Sequence, residues 1–77
     1  MNKTLETKDI SNNIKAERHR AGFTQAEIAK VLNVTRTTYG TMERYPKNLK
    51  YETLEKLADA FGCTVTDFFV VRQFTKM

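Results

Sequence analysis

FTQAEIAKVLNVTRTTYGTMER, residues 23–44, is the stretch whose reading decides the fold. Thr24 and Glu27 stand three apart, so each side chain can satisfy the other's free backbone N–H at a helix start. Phe23, just before, sits where a hydrophobic staple belongs. The spacing predicts a helix over about 25–32, with Ile28, Ala29 and Leu32 on its inner face. Two turns do not persist alone, so this helix must pack on neighbours. Asn33 tolerates the left-handed backbone that ends a helix. Val34 can tuck under the turn, and Thr35 can cap a second short helix over about 36–44. That helix has Tyr39 and Met42 inward, Glu43 near its end, and Arg36, Thr37, Gly40 and Thr41 outward. Small Ala29 lies where the two helices would cross closely.

Outward from this unit, the pattern stays helical. Upstream, Asp9 can cap a helix from about Ile10 to Ala21 that Gly22 ends. Ile10, Ile14, Arg18 and Ala21 share one stripe of it, and Lys15 and His19 share another face. Downstream, Tyr45-Pro46 breaks the chain's helical run, because the residue before proline resists the helical region. A basic loop, Lys47 to Lys50, leads to a helix ending at Gly62, with Leu54, Leu57, Ala58 and Phe61 inward. Its start is poorly marked, with Asn48 and Thr53 as possible caps. Thr64 and Asp67 form a second capping box and predict a short last helix with Val65, Phe68 and Phe69. The expected organisation is a flexible tail over 1–9, one domain over 10–69 and a C-terminal tail over 70–77. An alternative for the first tail is a groove-wrapping arm, with only Lys3 and Lys8 to offer.

Composition narrows the function. A chain of 77 residues is one domain near the lower size limit. A domain of that size buries only ~60% of the surface its unfolded chain exposes. A core leaves no room for a deep substrate pocket, and no nucleophile–base pair is evident, so an enzyme is not expected. One cysteine, Cys63, and one histidine, His19, close neither a disulfide nor a zinc site, so no metal or cofactor is expected. The longest apolar run, Phe68 to Val71, falls far short of a membrane span. Met1 to Asp9 lacks the apolar stretch of a secretory signal, which points to a cytoplasmic, nucleoid-associated location. The net charge of +4 is uneven: +2 over residues 1–22, +3 over 23–50 and −1 over 51–77. That asymmetry favours a polyanion on one side of the molecule.

The run from Ile14 to Phe69 resembles the Cro and phage-repressor type of helix-turn-helix domain. The resemblance rests on Arg18, on Phe23 to Ala29, on Val34 to Thr38 and on Met42-Glu43-Arg44. Leu57 to Gly62 and Thr64 to Phe69 complete it. It implies an all-α, compact five-helix fold and binding of a double-stranded DNA operator as a homodimer. It also implies that Gln25 contacts the DNA backbone, that Arg36, Thr37 and Thr41 lie on the exposed face of the recognition helix, and that Arg18 and Glu43 form a structural salt bridge.

The chemistry of these residues agrees. The planar fork of Arg36 can hold guanine O6 and N7 together. Thr37 and Thr41, four apart, each bring a hydroxyl and a methyl. Gly40 either lets the helix approach the bases closely or softens it. Gln25, Thr35, Arg44, Lys47, Asn48 and Lys50 are the expected phosphate contacts, which position without reading sequence. Tyr45-Pro46 departs from the family's glycine-containing turn and leaves the aim of Lys47 and Asn48 open. Phe69, Val70, Val71 and Phe74 would leave apolar surface on a monomer, and a paired subunit would cover it. Phe68, Val70, Arg72 and Phe74 alternate well enough for a strand there. The alternative function is a protein-interaction module on the same fold, antitoxin-like or co-activator-like.

Overall fold

The computed structural model describes residues 5–71, in which every regular element is helical. Four α-helices follow one another: α1 (Thr7–Ala21), α2 (Gln25–Leu32), α3 (Arg36–Arg44) and α4 (Tyr51–Phe61). Two 3₁₀ turns, Pro46–Asn48 and Val65–Phe69, complete the elements of the described residues. None of these helices is long and apolar enough to cross a membrane.

The start of α1 lies at Thr7, not near Ile10. The Glu6 N–H donates to Asp9 Oδ2 at 2.8 Å, so Asp9 reaches back from the third helical position and does not itself cap. The far end obeys the sequence pattern, with Gly22 in the left-handed region at φ 84°. The Phe23 N–H donates to the Arg18 carbonyl at 3.1 Å. This folds Phe23 back onto the core, with its ring centroid 6.3 Å from that of Phe61.

The capping box of α2 forms, with Glu27 N–H to Thr24 Oγ1 at 3.1 Å and Thr24 N–H to Glu27 Oε1 at 2.8 Å. Asn33, at φ 60° and ψ 45°, ends α2 in the left-handed region. The Val34 N–H returns to the Ala29 carbonyl at 2.9 Å, and the Thr35 hydroxyl caps α3 by accepting from the Thr38 N–H at 3.1 Å. Local chemistry thus fixes the path between α2 and α3.

Neither Asn48 nor Thr53 caps α4. Lys50 occupies the cap position with no side-chain cap bond, after the turn that buried Pro46 initiates. Glu52 in the first turn of α4 offsets the unfavourable cation there.

The expected fifth α-helix is a 3₁₀ segment. Its Thr64 N–H still donates to Asp67 Oδ2 at 2.9 Å. Asn13 of α1 decides the path of the chain beyond it: its Nδ2 donates to the carbonyls of Phe68 (3.0 Å) and Val70 (2.8 Å). Those carbonyls are therefore satisfied across the fold, and the chain turns extended at Val70.

The core draws on every α-helix. Ile10 and Ile14 come from α1, Ile28 and Ala29 from α2, Tyr39 from α3, and Leu54, Leu57, Ala58 and Phe61 from α4. Phe68 closes it, its ring edge-on to Phe61 at 6.2 Å. Each large side chain so buried contributes roughly 1.5–3 kcal/mol. In a domain this small, that set is what holds α3 against the body.

Candidate nucleic-acid interface

Helical spacing divides α3 into two faces. Tyr39 and Glu43, four apart, point inward and are both fully buried. Arg36, Thr37, Thr38, Thr41 and Arg44 point outward and are exposed.

The inward face is pinned by one carboxylate. Glu43 Oε2 accepts from Arg18 Nε at 2.8 Å and from the Tyr39 hydroxyl at 2.7 Å. Its Oε1 accepts from Gln25 Nε2 at 2.9 Å and from Arg18 Nη2 at 3.3 Å. Arg18 Nη1 donates onward to the Phe23 carbonyl at 2.9 Å. A single buried anion therefore ties α1, α2 and α3 together. Burial alone would raise the Glu43 carboxyl, but hydrogen bonds from Arg18, Tyr39 and Gln25, with the Arg18 charge, outweigh it and hold the group below the usual carboxylate range. Burial also opposes the Arg18 charge, yet Glu43 holds that guanidinium protonated above its ordinary value. The Tyr39 hydroxyl is pushed well up by burial and by the neighbouring carboxylate, so it stays a donor.

The outward face borders two hollows. One, of about 380 Å³, opens between α1, α2 and α3 and is lined by Lys15, Gln25, Arg36, Thr37, Gly40, Thr41, Glu43 and Arg44. The other, of about 390 Å³, is lined by Thr37, Thr38, Thr41, Met42, Tyr45, Asn48 and Leu49 and is mainly apolar. Thr37 and Thr41 form the ridge between them. The Thr41 hydroxyl bonds back to the Thr37 carbonyl at 3.3 Å. At Gly40 an added Cβ would find only Gln25 Oε1, at 4.0 Å.

The first hollow thus gathers six of the ten residues expected to touch DNA: Gln25, Arg36, Thr37, Gly40, Thr41 and Arg44. Asn48 lies in the second, while Thr35, Lys47 and Lys50 line neither. The Thr35 hydroxyl is committed to the α3 cap and also donates to Thr38 Oγ1 at 2.9 Å. Lys47 and Lys50 are exposed beyond the end of α3. Arg18 and Glu43 sit beneath the face as its support. Among the described residues no His, Cys, Asp or Glu cluster could hold a metal ion.

Sequence reasoning missed Lys15, which it grouped with His19. The signal was present: Lys15 is three residues before Arg18, and therefore on the side of α1 that meets α3. It also missed Tyr45, half-exposed beside the apolar hollow. Phe69, Val70 and Val71 form a partly exposed apolar strip, while Phe74, Arg72 and Lys3 lie outside the described residues.

A family model described as helix-turn-helix matches residues 14–68, more than two thirds of the chain. No curated protein and no solved structure matches it significantly.

Proposed function

This chain belongs to the phage-repressor-like helix-turn-helix family of DNA-binding domains, and from that premise we propose that it is a sequence-specific transcriptional regulator, repressor-like, that reads an operator in double-stranded DNA. The observation that carries the reading is the division of α3: an inward face locked by Glu43 and an outward face of exposed polar side chains. The outward face enters the major groove, as the second helix of this motif does. Arg36 holds a guanine through its fork, and Thr37 and Thr41 present methyls to thymine. Gly40 keeps the middle of the helix slim. Gln25, Arg44, Lys47, Asn48 and Lys50 hold phosphates and set the register, while Thr35, its hydroxyl bonded to Thr38, caps the helix that presents them.

The regulator acts as a homodimer on a two-fold site. Phe69, Val70 and Val71, with Phe74 beyond the described residues, supply the apolar pairing surface. Paired recognition helices then stand about 34 Å apart, one turn of DNA. Such a protein works in the cytoplasm, on the nucleoid.

Selection of bound sites from random duplex DNA tests the reading. The expected outcome is a two-fold motif with half-sites about 10 base pairs apart. Enrichment of no sequence at all would refute sequence-specific binding, and enrichment of a lone half-site would refute the dimer. On the selected site, Lys47→Ala should weaken every sequence about equally and shallow the salt dependence.

A further inference from the structure

We propose that the hollow between α1, α2 and α3 seats one phosphodiester of the DNA backbone, with Lys15 of α1 as a cation of that seat. The inference rests on α3 being the DNA-facing helix, and it adds a residue from outside the recognition unit.

The charge in the hollow favours an anion. Lys15 enters from α1, and Arg36 and Arg44 enter from the two ends of α3. All three are exposed. The one acidic group in the lining, Glu43, already takes hydrogen bonds from Arg18, Tyr39 and Gln25, and the Arg18 guanidinium neutralises it at 2.8 Å. The floor is therefore neutral as a unit, and the rim is positive.

Lys15 is also uncommitted. Among the described residues it takes part in no ion pair, whereas Arg20 on the same helix is held by Glu17 at 2.7 Å and by the Phe61 carbonyl at 2.8 Å. A compact ammonium on a flexible stem suits a phosphate, which needs a point charge, better than a base edge, which needs a planar fork. Gly40 leaves the wall open for that approach. The hollow is continuous with Thr37 and Thr41, so an anion seated there would belong to the same polymer whose bases those residues face. That favours the phosphodiester over a carboxylate from a partner protein.

The test is the salt dependence of binding, read by fluorescence anisotropy with the full chain and a short fluorescein-labelled duplex between about 50 and 200 mM salt. Lys15→Gln should shallow the slope of log K against log salt by about 0.9, the loss of one phosphate contact. Lys15→Arg should keep the wild-type slope. Lys56→Gln, the same charge change on exposed α4 surface outside the hollow, should also leave it intact. Equal slopes for Lys15→Gln and Lys56→Gln, with wild-type binding still steep in salt, would overturn the seat and spare the functional reading. A wild-type chain that binds labelled polyglutamate as well as it binds the duplex would overturn both.

Discussion

The two faces of α3 are made from one short stretch of sequence, yet they handle polar groups in opposite ways. Inward, Glu43 accepts from three side chains, and none of the buried side-chain nitrogens or oxygens of the described residues lacks a partner. Outward, Arg36 and Arg44 keep their donors for solvent or a ligand. A buried polar network that is complete rigidifies, whereas a surface that is to recognise something must leave its bonding capacity open. The first face supplies the precision with which the second is presented. The same division is visible in α1, where Arg18 is buried and Lys15, one turn earlier, stands exposed at the rim of the hollow.

The most damaging way to break this contrast is Glu43→Ala. It leaves the buried Arg18 guanidinium without its counter-charge. Breaking one partner of a buried pair costs about 3–5 kcal/mol. Urea unfolding should show that loss, and a loss under about 1 kcal/mol would mean that the inward face is not rigidly held. Acid attacks the same group. The Glu43 carboxyl has its folded value below its unfolded one. The stability it adds is therefore present above the unfolded value of about 4.3 and disappears as pH falls through the folded value. Thermal melts from pH 7 downward should lose stability below about pH 4, and Glu43→Gln should flatten that part of the profile.

Asn13→Ala sharpens the contrast from outside α3. It frees the carbonyls of Phe68 and Val70. Urea unfolding should show a cost of about 1–3 kcal/mol. Because Asn13 supports the C-terminal turn and not α3, the folded variant should keep wild-type base preference. Gly40→Ala is the smallest change. The new methyl meets nothing closer than Gln25 Oε1 at 4.0 Å. Removing a helical glycine there should stabilise the fold by about 0.5–1 kcal/mol. The same methyl enters the hollow, and DNA affinity should fall while the melting temperature rises.

What was legible in the sequence is what neighbouring residues decide. Thr24 with Glu27, Asn33 and Thr35 each act within three or four positions, and they place α2, the turn and α3. Pairing Arg18 with Glu43 took more: it needed the resemblance, because the residues are 25 apart. Features fixed by competition or by distance were not legible. Glu6 and Asp9 are both plausible caps, and only the backward reach of Asp9 selects a start at Thr7. The last segment has a capping box like that of α2, but it is a 3₁₀ turn, and Asn13, 55 residues away from Phe68, takes the carbonyls of Phe68 and Val70 where the chain turns extended. The hollow was half legible. Its α3 residues follow from the outward face, while Lys15 depends on how α1 is rotated against α3. That rotation is set by Arg18 reaching Glu43.

The central claim, that the outward face of α3 reads bases, is tested most directly by Arg36→Ala on the selected site and on versions of that site with one base pair changed. The predicted result is an intact fold and a loss of about 1–3 kcal/mol of discrimination confined to one guanine. Discrimination equal to that of the wild type at every position would contradict it.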